Sequence, residues 1–167
     1  FWRIMPTLSS QREAFICQNL ASDSGKNFEV QIKFDTGMTR LGCDLKDAFD
    51  LIKAVDKLSN LKLIGVYSHL AMGDELFDSS SRSVTGLQKK RFESVINNLD
   101  QKNNQYSVHL ANSAGTIRGP ELHYDMVRVG LALYGCNPIK GAGQNLYLEP
   151  ALSVKARVTL IRYVAAG

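Results

Sequence analysis

A parallel α/β fold, either a barrel or an open sheet, is predicted by three features of the sequence. Strand and helix patterns alternate along most of its length, the run LKLIGVYS at 61–68 is almost continuously apolar, and polar residues suited to binding or catalysis stand at the ends of successive strand patterns. Such alternation favours parallel pairing through right-handed crossovers. A complete eight-stranded barrel takes about 250 residues, so a chain of 167 residues would hold part of one.

Taken in order, residues 3–7 read as a short strand, and Ser10 and Glu13 have the spacing of a capping box that opens a helix to about Leu20. After the polar turn from Ser22 to Asn27, residues 28–34 form a strand with Val30, Ile32 and Phe34 on one face and Gln31, Lys33 and Asp35 on the other. Asp44 offers an N-cap, and Leu45, Ala48, Phe49, Ile52 and Val55 recur at helical spacing to about Leu58. The apolar strand at 61–68 delivers His69 at its carboxyl end, followed by a long polar loop. A third helix begins around Ser83, with Phe92, Val95, Ile96 and Leu99 as its buried stripe. YSVHLA at 106–111 is a strand ending at Asn112 and Ser113, and MVRVG at 126–130 is another, leading into LALYG. Beyond Tyr134 comes a Gly/Asn/Pro loop. LSVKARVTLIRYV at 152–164, β-branched and partly alternating, reads as the first strand of a separate β domain, which divides the chain at 1–147 and 148–167.

Composition narrows the function classes. Hydrophobic residues at 44% and charged residues at 22% fit a globular domain rather than a disordered or fibrous chain. No apolar run approaches the roughly 18 residues of a membrane span. The opening FWRIMPTLSS has neither an initiator methionine nor the apolar core of a secretory signal, and reads as an internal stretch of a longer sequence. Cys17, Cys43 and Cys136 are odd in number and widely spaced, which argues against a disulfide framework and for a reducing cytoplasm. The net charge of +4 could suit an acidic partner. Only Lys89, Lys90 and Arg91 cluster, however, without interleaved aromatics and on a solvated helix face, so nucleic acid is not expected.

The chemistry-bearing residues converge if the strands share a rim. Arg40 follows one strand, His69 the next, Asn112 and Ser113 another, and Arg128 lies near the end of the last. In a barrel the carboxyl ends of all strands lie on one rim, so residues distant in sequence can surround one ligand. Lys33 and Asp35 point into the sheet interior, where an unpaired charge is costly. Arg40 is a candidate partner for Asp35, and Arg128 for Asp125 or Asp35; the pairs could be structural or could serve a ligand. Ser113 and Gly130 with Leu131 sit where exposed backbone N–H groups could meet a phosphate, or Ser113 could cap a helix and Gly130 permit a turn. His69, His109 and His123 have no paired spacing with cysteines or carboxylates, so no metal is expected. GAG at 141–143 lacks the preceding strand of a dinucleotide fingerprint.

KFDTGMTRLG at 33–42, GVYSHLAMGDE at 65–75, HLANSAG at 109–115 and DMVRVGLALYG at 125–135 resemble, in order, successive motifs of the bacterial alanine racemase family. EPALSVKARVTLIRYVAAG at 149–167 resembles the passage from that family's barrel into its β domain. The resemblance implies a TIM-type (β/α)8 barrel of which this chain is a part, pyridoxal 5'-phosphate as cofactor, a cytoplasmic homodimer, and interconversion of L- and D-alanine for cell-wall synthesis.

By the same resemblance, Arg40 contacts the substrate carboxylate and the cofactor's phenolic oxygen, and Lys33 matches a lysine often carbamylated, whose new carboxylate orients that arginine. Arg128 matches the arginine facing the pyridine nitrogen, buttressed by His69 and His109 in a hydrogen-bonded chain. Ser113, Gly130 and Leu131 match phosphate-contacting positions, the last two through the backbone, and Asn112 lines the same pocket. Thr39 departs from the pattern, since the family commonly has glycine there. The cofactor-bearing lysine belongs to an earlier motif of the form KANAYGHG, which does not occur here, and the opposing tyrosine base would lie just beyond Gly167. Neither catalytic base is therefore expected in this chain, which alone should be inactive. A serine racemase of the same family and a non-catalytic pyridoxal-phosphate module are the alternative readings; the first turns on substrate preference, the second on whether the two bases flank this stretch.

Overall fold

The strand that positions everything else is Phe28–Lys33 (β2), whose alternate residues Val30 and Ile32 are fully buried, as is Phe34 just beyond it. In this computed structural model, which describes residues 4–75, 83–99, 106–139 and 146–166, β2 pairs in parallel with Thr7–Leu8 (β1) on one side and Leu61–Tyr67 (β3) on the other. Ser107–His109 (β4) pairs in parallel with β3, so spatial order equals sequence order. Of the two predicted arrangements this is the one expected of a barrel arc, since doubly wound sheets reverse their strand order.

Helices Gln11–Asp23 (α1), Ala48–Asp56 (α2) and Val84–Ile96 (α3) supply the crossovers. The predicted α3 stripe of Phe92, Val95, Ile96 and Leu99 is buried, and the Phe92 ring lies 6.3 Å from that of Phe34 and edge-on to Tyr124 at 5.5 Å. Burying each such side chain contributes roughly 1.5–3 kcal/mol, so these contacts anchor α3 beneath the strand ends. Ser10 caps α1 by accepting from the Glu13 N–H at 3.3 Å, while Glu13 reaches back to the N–H of Ser9 at 2.6 Å, one residue earlier than a standard box.

Two expectations are corrected. Asp44 makes no side-chain cap; a 3-10 turn, Leu45–Asp47, precedes α2, and the Asp44 carboxylate pairs with Lys46 at 3.4 Å instead. Residues 126–130 are not a regular strand, although the N–H groups of Asp125 and Arg128 donate to the carbonyls of Val108 and Ala111. The Asp125 carboxylate takes the Val108 N–H that a neighbouring strand would have used, and Tyr124 turns the chain with φ +51°. The described residues from 151 onward are exposed and none is in a strand; a β-strand needs a partner ladder, and no described residue pairs with them. GAG at 141–143, and the part of the polar loop after His69 at 76–82, lie outside the described residues. Among the described residues no helix is long and apolar enough to cross a membrane.

The face of the sheet opposite the apolar core is polar. Strand register aligns Lys33, Tyr67 and His109 in one row at the carboxyl ends of β2, β3 and β4, with Gln31, Gly65 and Ser107 in the row below. Gly65 matters here because a Cβ would sit 3.4 Å from the Gln31 side chain and 3.1 Å from the Ser107 carbonyl, crowding the space through which Gln31 reaches His109.

Candidate active site at the carboxyl ends of the strands

Arg128 is held from three sides. Its Nη1 lies 2.5 Å from His109 Nδ1, its Nη2 donates to the main-chain carbonyls of Ser68 at 2.6 Å and Leu110 at 3.3 Å, and its guanidinium lies 4.8 Å from the centre of the Tyr67 ring. Tyr67 stacks in turn on His109, 4.6 Å between centroids and 13° from parallel. Because a guanidinium can only donate, His109 Nδ1 must accept, which leaves its proton on Nε2 for the Gln31 side-chain oxygen at 2.8 Å. His109 is thereby fixed neutral in one tautomer. Burial and then the Arg128 charge lower its pKa to about 4, with Asp125 opposing weakly. The suggested ion pairs of Arg128 with Asp125 or Asp35 are not made, since Asp125 binds the Val108 N–H and Asp35 serves its own loop.

The loop after β2 is ordered by that aspartate. Asp35 Oδ1 accepts from the N–H groups of Gly37 at 2.9 Å and Thr39 at 3.0 Å, so it does not pair with Arg40. Thr39 has φ +54°, the left-handed conformation that glycine adopts without strain, and Gly42 closes the loop where a Cβ would stand 2.7 Å from the Asp35 nitrogen. Lys33 is 5% exposed and has no carboxylate partner among the described residues; its Nζ lies 6.0 Å from the Tyr67 ring centroid. Burial, then Arg40, then Arg128 push its pKa down, against a small opposing pull from Asp35. Arg40 is exposed and does not line the pocket described next, but its charge reaches both Lys33 and His69.

A pocket of about 380 Å³ opens at this rim, lined by His69, Asn112, Ser113, Arg128, Gly130 and Leu131 among others. The His69 pKa is lowered to about 4 by burial and by Arg128, Arg40 and Lys33. The His69 ring makes no direct hydrogen bond to Arg128, whereas the His109 ring does. Ser113 does not cap the helix Ser113–Arg118 (α4). Asn112 does, accepting from the Gly115 N–H at 3.0 Å while its amide donates to the Leu70 carbonyl at 3.3 Å. Ser113 Oγ instead accepts the N–H groups of Gly130 at 2.9 Å and Ala132 at 3.2 Å, which draws the turn at 130–132 to the pocket wall. At Gly130 an added Cβ would meet no protein atom within 4 Å, so the protein around it does not demand glycine, and a bare backbone faces the opening.

Sequence reasoning missed Tyr67, Gln31 and Gln88. For Tyr67 and Gln31 the signal lay in parity, since each shares a strand face with Lys33 or His109, but only the register of three strands reveals it; Gln88, on a helix, carried no such signal.

Residues 2–138 match the family model described as "Alanine racemase, N-terminal domain". An alanine racemase of Prochlorococcus marinus is 53% identical over 98% of this chain and 42% of its own length. Among solved structures, the alanine racemase of Bartonella henselae with covalently bound pyridoxal phosphate superposes with a TM-score of 0.70 at 33% identity, over 87% of this chain and 40% of that one. The alanine racemase of Bacillus anthracis with bound L-Ala-P gives 0.72 at 29% identity, over 87% and 37%. The chain thus spans less than half the length of these relatives.

Proposed function

The chain belongs to the alanine racemase N-terminal domain family, and from that membership we propose that the whole protein is a pyridoxal-phosphate-dependent racemase interconverting L- and D-alanine. Its fold is accordingly part of a (β/α)8 barrel. The observation that carries the functional reading is the locked Arg128, a guanidinium that borders the pocket and whose neighbour His109 can only accept from it.

The pocket's donors suit a phosphorylated pyridine. Ser113, whose hydroxyl proton is left to donate, would hold the phosphate with the backbone at Leu131 and with the Gly130 N–H turned from Ser113 Oγ to the ligand, Asn112 would line the ring's edge, and Arg128 would face the ring nitrogen as a donor. When bound, the cofactor withdraws electrons from the α-carbon of the attached amino acid, easing removal of its proton. Arg128, a pure donor unable to accept a proton, would hold the ring nitrogen by a hydrogen bond and disfavour a proton there. Arg40 would bind the substrate carboxylate and the cofactor's phenolic oxygen; its exposed position on the ordered 35–42 loop is compatible with reaching a ligand. The bases that remove and return the α-proton, a lysine and a tyrosine in the family's motifs, are proposed to come from segments other than this sequence.

Lys33 is proposed to be carbamylated. Its lowered pKa favours the neutral amine, which attacks the carbon of CO2; one N–C bond forms, one proton leaves to solvent, and the product anion sits near the cations that had destabilised the ammonium, Arg40 and Arg128. The chain's later part, from 148, is proposed to begin the β domain, and the protein is inferred to be a cytoplasmic homodimer supplying D-alanine to the cell wall, readings that rest on the family resemblance.

The test is to assay the full-length protein with L-alanine and L-serine, alongside Arg40→Lys. Turnover of L-alanine, with a loss on the order of a hundredfold or more when the planar two-pronged contact is removed, is expected. A preference for L-serine would give the serine racemase reading, and no turnover of either would overturn the assignment.

A further inference from the structure

Gln88, on the buried face of α3, is 1% exposed and uses both the nitrogen and the oxygen of its amide on the loops that carry the site. Its Nε2 donates to Thr36 Oγ1 at 3.1 Å and to the main-chain carbonyl of His69 at 2.9 Å, and its Oε1 accepts the N–H of Ala71 at 2.8 Å. The roles cannot be exchanged. Turning the amide over would set its oxygen against the His69 carbonyl and its nitrogen against the Ala71 N–H.

The chain of donors continues in one direction. Ser68 Oγ spends its single proton on the Phe34 carbonyl at 2.8 Å, so Thr36 must donate to Ser68 across their 2.8 Å contact while accepting from Gln88. Thr36 and Ser68 are, like Gln88, 1% exposed. Arg91, one helical turn on, donates from Nη1 to the Thr36 carbonyl at 3.1 Å, and a Cβ on Gly37 would lie 3.3 Å from that nitrogen and 3.5 Å from Gln88 Cγ. One helix thus grips the start of the Arg40-bearing loop and the His69–Ala71 segment that lines the pocket.

We propose that Gln88 is a positioning residue: through its three hydrogen bonds it sets the Arg40 loop and the His69–Ala71 segment at a fixed distance from each other, and so fixes His69 and Ala71 in the pocket wall and the Arg40 loop relative to that wall. It touches neither ligand nor cofactor. The proposal rests on the reading of this pocket as a pyridoxal-phosphate site, but its mechanical part does not.

The experiment uses the full-length protein and two measurements, amide hydrogen exchange without added ligand and titration with pyridoxal phosphate. Gln88→Met keeps the volume and removes all three bonds, whereas Gln88→Glu keeps the shape but opposes an oxygen to the His69 carbonyl. In Gln88→Met, exchange at Ala71, Gly37 and Thr39 should accelerate on the order of tenfold or more while α2 is little changed; in Gln88→Glu, which keeps an acceptor for the Ala71 N–H, the acceleration should fall on Gly37 and Thr39; in both, cofactor affinity should weaken on the order of tenfold. A role in volume alone predicts that both variants behave as wild type. Thr36→Val serves if the Gln88 variants do not fold; it cuts the Thr36 arm, so Gly37 and Thr39 should exchange faster with Ala71 still protected. Unchanged loop exchange, or loosened loops with unchanged cofactor affinity, overturns the proposal. Failure of the wild type to bind pyridoxal phosphate would instead overturn the functional reading, with the exchange data still deciding whether Gln88 braces the two loops.

Discussion

Arg128 donates to His109 Nδ1 across 2.5 Å, and this contact holds His109 neutral inside the sheet. The consequence is a pH dependence of stability with a definite sign. An unfolded histidine binds a proton below about 6.5, whereas His109 and His69 in the fold resist until about 4. Between these values the unfolded chain takes up protons that the native one does not. Stability is therefore full above about 6.5, falls as pH drops through this window at up to roughly 1.4 kcal/mol per pH unit for each histidine, and levels off below it. Urea midpoints of the full-length protein between pH 7 and 4 should show the fall, with a shallower slope in His109→Gln. Equal slopes would mean that His109 is not held neutral.

Thr39 carries backbone strain that a glycine would relieve. Its φ of +54° is imposed by the Asp35 carboxylate, which binds its N–H at 3.0 Å. A left-handed residue with a Cβ costs roughly 1–2 kcal/mol, and glycine gives back part of that through its freer unfolded chain. Thr39→Gly should raise stability by roughly 0.5–1 kcal/mol net, while Thr39→Val should gain nothing. Denaturant midpoints of the two variants, compared with wild type, decide the point.

Ser113→Ala separates pocket construction from helix capping. Asn112 already caps α4, so the substitution should leave that helix intact and release the N–H groups of Gly130 and Ala132. Losing a hydroxyl that meets a charged ligand weakens binding by about 1.5–3 kcal/mol. A ten- to hundredfold rise in the pyridoxal phosphate dissociation constant is expected at nearly unchanged thermal stability; a stability loss with unchanged affinity would make Ser113 structural.

Much of this site was legible in the sequence because strand parity and strand ends are local properties. The apolar face Val30, Ile32, Phe34 and the inward Lys33 follow from alternation alone, and a strand terminus at His69 from the end of an apolar run. Pairing partners were not legible. Asp35, five residues before Arg40 in sequence, suggested an ion pair, yet the nearer backbone donors of its own loop won the carboxylate. Likewise 126–130 had strand composition, but Asp125 competed for the Val108 N–H, and 152–164 has strand composition with no partner ladder among the described residues. Gln88 was invisible because a buried glutamine in an otherwise ordinary helix acquires meaning only from two loops distant in sequence.

Lys33 offers a direct chemical test. In the full-length protein supplied with 13C-labelled bicarbonate near neutral pH, a carbamate carbon resonance is expected and should disappear in Lys33→Gln. Its absence from the wild type at saturating bicarbonate would leave Lys33 as an amine, lowered in pKa by burial and by the arginines alone.

Reversing the charge at position 128 tests the centre of the functional reading. Arg128 is buried enough for desolvation to lower its pKa, with Tyr67 opposing, yet a guanidinium remains a cation and a pure donor at working pH. Arg128→Glu would place an acceptor where the pyridine nitrogen is proposed to lie, favouring a proton on that nitrogen and a deeper withdrawal of electrons from the substrate. Reprotonation would then no longer be confined to the α-carbon, so slower racemisation should come with transamination of alanine to pyruvate. The same change removes the main charge depressing His109, whose pKa, followed by NMR, should climb from about 4 toward or above its ordinary value. The two readouts separate the possibilities. Pyruvate together with a raised His109 pKa supports Arg128 as the group that tunes the cofactor; a raised His109 pKa with slow racemisation and no pyruvate would assign Arg128 to holding the Ser68 and Leu110 carbonyls in place, a structural role only.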